Sequence, residues 1–103
     1  MKRMLMTVAA CALLSFVVSA QAAGDAQAGK AKAGACAGCH GANGEGVKPN
    51  PALAGKSEDE IVQALKDYKS GKRANPIMKT LAGPLSDQDM ANLGAYYASL
   101  KAK

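Results

Sequence analysis

Cys36 and Cys39 stand two residues apart, and His40 follows directly, in the run Cys36-Ala37-Gly38-Cys39-His40. Two thiols at that spacing reach the two vinyl groups of one haem, and the adjacent imidazole then projects along the normal of the macrocycle toward iron. C-x-x-C-H is the attachment sequence of c-type haem. Ala37 and Gly38 are small and leave the porphyrin edge clear. Three other chemistries use paired thiols. A dithiol redox pair belongs in a βαβ setting, and no strand pattern is visible anywhere in the chain. Zinc needs four ligands, whereas the chain beyond residue 23 offers two Cys and one His. A disulfide is permitted in an exported protein, but across two residues it closes too small a loop to stabilise much. One covalent haem c is the expected cofactor, with His40 on the iron.

His40 is the only histidine, so a second imidazole ligand is excluded. A thioether is the natural remaining ligand, and it favours reduced iron. Beyond residue 23 the methionines are Met78 and Met90. Met78 lies between Pro76 and Gly83-Pro84, on a segment that can adapt to the metal. Met90 sits in the apolar stripe of a helix, where packing is its ordinary role. Met78 is the expected second ligand.

These residues need a scaffold, and the sequence offers little bulk to build one. Beyond residue 23 there is no Phe or Trp, and Ala and Gly dominate. A domain of this size draws little stability from its own core and usually needs a staple. A large apolar bound group would supply the missing filling. The helical signals are clear. Asp25 is placed to N-cap a first helix over about 25–36. Glycines and prolines then punctuate residues 38–56, a long loop of the kind that is functional. Ser57 and Glu60 form a capping box. Ile61, Val62, Leu65 and Tyr68 follow at helical spacing, and Gly71 closes that helix. Residues 77–82 read as at most a short helical turn before Gly83-Pro84. Ser86 and Asp89 open a last helix with Met90, Leu93, Tyr96, Tyr97 and Leu100 as its apolar stripe. There are no internal repeats. The expected fold is all-α: three main helices plus a short turn around one haem.

The first 22 residues read differently. Lys2 and Arg3 precede an apolar run from Met4 to Val18, and small residues follow. This is the order of a secretory signal peptide. Ala20-Gln21-Ala22 sets the expected cut after Ala22, with Ala20 as the alternative. The apolar run of about 15 residues falls short of the ~20 that a spanning helix needs. Val8-Ala9-Ala10-Cys11 resembles a lipoprotein box only loosely, and Cys11 is read as part of the signal. The expected organisation is a cleaved signal at 1–22 and one domain at 23–103, exported to the periplasm, with no membrane span after cleavage. Loss of Lys2 and Arg3 leaves eleven basic against eight acidic residues, a net +3. That mild charge, with no Lys/Arg block, is not a nucleic-acid signature.

Four stretches in order give the chain a family likeness: residues 24–30 ahead of the C-A-G-C-H-G run at 36–41, Pro51-Ala52-Leu53-Ala54-Gly55, residues 71–78 ending in Ile77-Met78, and residues 85–89 with Leu93 and Tyr96-Tyr97. Over nearly all of residues 24–100 the chain resembles class I cytochromes c, most of all the small bacterial branch with cytochrome c553 and the single-haem halves of cytochrome c4. The resemblance implies Met78 as distal ligand. It also implies that the Pro51 carbonyl accepts from the free ring nitrogen of His40, that Leu53 presses on the haem face, and that Arg73 is a candidate for neutralising a haem propionate. The large aromatic that many members carry in the first helix is missing. Ala33 and Ala35 stand there instead, which predicts a lighter contact between the first and last helices, with Gly29 approaching Leu93 or Tyr96.

The function these expectations imply is a soluble carrier of single electrons. A six-coordinate iron has no open position for substrate. Lys30, Lys48, Lys56, Lys72 and Lys79 are candidates for a ring that orients docking, a role that governs encounter rate more than affinity. The resemblance implies redox partners: a quinol-oxidising complex, a terminal oxidase or a periplasmic reductase. The alternatives are a five-coordinate haem enzyme or sensor, which requires that Met78 not bind, and a haem subunit of a larger respiratory complex.

Overall fold

The structure is a computed structural model and describes residues 23–100. The signal peptide expected at 1–22 lies outside the described residues. Five helices follow one another: α1 (Ala26–Lys32), α2 (Gly34–His40), α3 (Glu58–Ser70), α4 (Pro76–Ala82) and α5 (Asp87–Ser99). Among the described residues there is no strand, only an isolated bridge between Val47 and Asn50. The all-α expectation holds.

The starts of α1, α3 and α5 follow from side chains that fill the empty hydrogen bonds of helix ends. The Asp25 carboxylate accepts from the N–H groups of Gln27 at 2.9 Å and Ala28 at 3.4 Å. Ser57 and Glu60 form a reciprocal box at the start of α3, and Ser86 and Asp89 another at the start of α5. Gly71 ends α3 at φ 87°, a left-handed conformation that suits glycine.

Two boundaries differ from expectation. The first helix does not run unbroken over 25–36. It opens at Ala33, whose ψ of −7° breaks the regular ladder, and resumes as α2 as far as His40. The loop therefore starts at Gly41, not at residue 38, and the whole C-x-x-C-H run is helical. Residues 77–82 are not a mere turn but part of a seven-residue helix that begins at Pro76. Asn75 explains it: its side chain accepts from the Met78 N–H at 3.0 Å, and Pro76 at the first helical position has no N–H to leave unsatisfied.

The core lies between α1, α3 and α5. Ile61, Leu65, Met90, Leu93, Tyr96 and Tyr97 are buried there with Ala33 and Ala82. The lighter contact predicted between first and last helices is overturned: α1 against α5 is the most extensive helix pair. Without a large aromatic between them, the two backbones touch. A Cβ added at Gly29 would lie 1.9 Å from the Asn92 carbonyl oxygen and 2.8 Å from the Tyr96 Cβ. On another side of α5, a Cβ at Gly94 would lie 2.8 Å from the Glu58 carbonyl oxygen.

Candidate functional site

Helix α2 places the two cysteines and the histidine together. Cys36 and His40 are four residues apart and share a helix face, with Cys39 beside them. Both cysteines are free thiols, and they differ in setting: Cys36 is half-buried against the core, whereas Cys39 is exposed. The Tyr97 hydroxyl donates to the Cys36 sulfur. Burial pushes the Cys36 thiol above its ordinary pKa. The Tyr97 hydrogen bond opposes that shift, and the nearby Cys39 adds to it. Tyr97 itself is held well above the usual phenol range, first by burial and then by Cys36.

His40 is 6% exposed, the one buried polar side chain among the described residues. Its Nδ1 lies 2.7 Å from the Pro51 carbonyl oxygen. A carbonyl can only accept, so Nδ1 carries the proton and Nε2 keeps its lone pair. Among the described residues nothing bonds to Nε2. A buried polar atom without a partner is costly, and this one is an imidazole nitrogen in the state that binds metals. The residues present fit a haem: two free thiols, a buried imidazole with its metal-binding nitrogen unfilled, and a core short of bulk.

The chain from Gly41 to Gly55 folds back over this helix end. Gly46 N–H donates to the His40 carbonyl at 2.7 Å. Leu53 and Ala54 donate to the Gly44 carbonyl at 2.7 and 2.9 Å, and Gly55 donates to the Tyr97 carbonyl at 3.0 Å. Gly44, at φ 66°, lies under the Tyr97 ring, whose carbons would stand 2.7 Å from an added Cβ. A side chain there would lift the loop off the helix. Asn50 reaches back with its side-chain amide to the Cys39 carbonyl at 2.9 Å.

The other candidates are placed as follows. Met78 sits half-buried on α4 at the margin of the core, while Met90 is wholly buried inside it. Leu53 packs against the same core. The Arg73 guanidinium lies 4.7 Å from the centroid of the Tyr68 ring, a cation–π contact rather than a place in the cluster around His40. Lys30, Lys48, Lys56, Lys72 and Lys79 are all exposed. Large apolar side chains are exposed at Val47, Ile77 and Leu81. All three belong to the segments that carry Pro51 and Met78. Among the described residues no three His, Cys, Asp or Glu side chains converge as a metal-binding group. Sequence reasoning missed Asn50, Asn75 and the contact between Tyr97 and Cys36. Only Asn75 carried a local signal, an Asn directly before a Pro.

Comparison with known proteins gives three findings. The family described as Cytochrome c matches residues 26–101. Cytochrome c4 of Pseudomonas aeruginosa is 51% identical over 83 residues, covering 80% of this chain and 41% of that protein, and cytochrome c-554(548) of Halomonas halodenitrificans is 42% identical over 81 residues, 75% of this chain and 98% of that one. The crystal structure of reduced recombinant cytochrome c4 from Pseudomonas stutzeri superposes with a TM-score of 0.74 at 37% identity, covering 79% of this chain and 48% of that chain. The chain thus spans less than half the length of the cytochrome c4 relatives it matches.

Proposed function

Because the chain belongs to the cytochrome c family, whose domain binds haem c covalently, we propose that it is a periplasmic monohaem carrier of single electrons whose iron is held by His40 and Met78. The bound haem supplies a metal that gains and loses one electron. Everything else falls to the chain. Cys36 and Cys39 tether the porphyrin as thioethers. His40 offers Nε2 to the iron, and the Pro51 carbonyl fixes the ring and raises its basicity by accepting from Nδ1. Met78 offers a soft thioether that favours the reduced state. Leu53 flanks the porphyrin and excludes water. Arg73 would pair with a propionate of the bound haem, since guanidinium pairs well with carboxylate.

Residues 1–22 direct export and are removed. No helix among the described residues is long and apolar enough to cross a membrane. With His40 and Met78 both holding the iron, no position would remain for a substrate, and the protein would act as a carrier rather than an enzyme. The exposed lysines orient it on acidic surfaces of redox partners: a quinol-oxidising complex, a terminal oxidase or a periplasmic reductase. Nucleic acid is not among the partners.

The observation that carries this reading is the buried His40, with Nδ1 committed to Pro51 at 2.7 Å and Nε2 unfilled. Optical spectra of the purified periplasmic protein, oxidised and reduced, test it together with a pyridine haemochrome assay. One haem c per chain is expected, with the near-infrared band of thioether-ligated ferric iron. A missing band at neutral pH, together with rapid binding of carbon monoxide, would move the reading to a five-coordinate enzyme or sensor. Elution of native periplasmic extract at the mass of an assembly would move it to a subunit of a larger complex.

A further inference from the structure

Three hydrogen bonds pin residues 46–51 to the last turn of α2. The Gly46 N–H donates to the His40 carbonyl at 2.7 Å, the Asn50 Nδ2 donates to the Cys39 carbonyl at 2.9 Å, and the His40 Nδ1 donates to the Pro51 carbonyl at 2.7 Å. The first two fill carbonyls that a helix end leaves without intrahelical partners. The third orients the imidazole. Pro51 has no N–H of its own, so its carbonyl is held in place by its neighbours. On the N-terminal side that neighbour is Asn50, fixed twice: its backbone N–H donates to the Val47 carbonyl at 2.8 Å, and its side chain donates to Cys39.

The geometry points to Asn50 as a positioning residue for the iron ligand. Its amide hangs from the backbone of the second attachment cysteine and holds the next residue's carbonyl against His40 Nδ1. A single side chain thereby couples the place where the haem is tethered to the basicity of the nitrogen that meets the iron. Loss of that amide lets the Pro51 carbonyl drift, and the Nδ1–H bond weakens. The imidazole becomes a poorer donor, oxidised iron loses more support than reduced iron, and the midpoint potential rises.

The inference rests on His40 ligating the iron. Failure of that reading shows in the optical spectrum of the wild-type protein, whereas the Asn50 amide can be measured whichever atom binds the metal. In the reduced wild-type holoprotein, NMR should find one Asn50 Nδ2 proton exchanging with solvent about tenfold more slowly than the side-chain amide of exposed Asn43. Asn50→Ala and Asn50→Leu, the second close in size and uncharged but without a donor, should each raise the midpoint potential. Each should also speed exchange of the His40 Nδ1 proton about tenfold while leaving the Leu93 amide unchanged. A wild-type Asn50 amide as labile as that of Asn43 overturns the inference. So do variants that melt earlier with potential and Nδ1–H exchange unmoved, since Asn50 would then merely close a loop. If neither variant matures, the wild-type amide decides alone.

Discussion

The frame of α1, α3 and α5 and the crevice of residues 41–56 with α4 are built on different terms. In the frame, each helix starts on its own cap and buries its apolar stripe against the others. In the crevice, glycines at positive φ let a loop lie flat on a helix end, and isolated hydrogen bonds hold it there. The exposures point the same way: Met90 and Leu93 in the frame are 0% and 2% exposed, while Val47 and Ile77 in the crevice are 49% and 67% exposed. One region closes on protein alone. The other leaves apolar surface for something the polypeptide does not contain.

The harshest test of that contrast removes the tether. Cys36→Ala with Cys39→Ala should leave a largely unfolded chain, with most of the far-UV helical signal lost. A frame that stayed folded, with only residues 41–56 and α4 exchanging freely, would show that the two regions are separable and place the boundary between them. The two methionines sharpen the contrast next. Met90→Ala, within the frame, should cost about 2–3 kcal/mol in denaturant unfolding and leave the midpoint potential near its wild-type value. Met78→Ala, at the crevice, should lower the potential and open the iron to carbon monoxide. An exchange of these outcomes would reverse the ligand assignment.

Gly29→Ala probes the frame alone. The new Cβ would meet a backbone oxygen at 1.9 Å, which cannot move aside as a flexible side chain could. A loss toward the upper part of ~1–3 kcal/mol is expected in chemical denaturation, against the gain that alanine brings to an ordinary helix. The smallest effect is electrostatic. Backbone hydrogen bonds at the caps, Ser57 for Glu60 and Ser86 for Asp89, hold both carboxyls below the usual carboxylate range. Their support is complete above the ordinary carboxylate pKa and is lost as pH falls through the lowered folded values. Denaturation midpoints measured at falling pH should drop through that window, and Glu60→Gln should flatten part of the drop.

The frame was legible because capping is local: Asp25, Ser57, Ser86 and Gly71 announce helix ends within a few residues. The break at Ala33 was not: Gly34 follows it, but an isolated glycine is tolerated inside a helical pattern, and burial in the core holds Ala33 where the ladder opens. The extension of α2 through Gly38 to His40 was hidden for a related reason. Its end is satisfied by Gly46 and Asn50, partners that spacing alone does not reveal. Cys36, Cys39 and His40 were legible as a motif. Pro51 entered only through family likeness, and the partnership of Tyr97 with Cys36 joins residues 61 positions apart. The close approach of α1 to α5 runs against the expectation because small residues in place of aromatic bulk let the two backbones meet.

Gly29 and Gly94 have one more consequence. Where backbone meets backbone at these two points, α5 has no long side chain to shear when a charge appears or vanishes nearby. Packed interiors compress little, and at these two seams the layer of side chains that could adjust is missing. In the electron carrier proposed above, such stiff seams would keep the atoms around the site close to one geometry before and after each transfer.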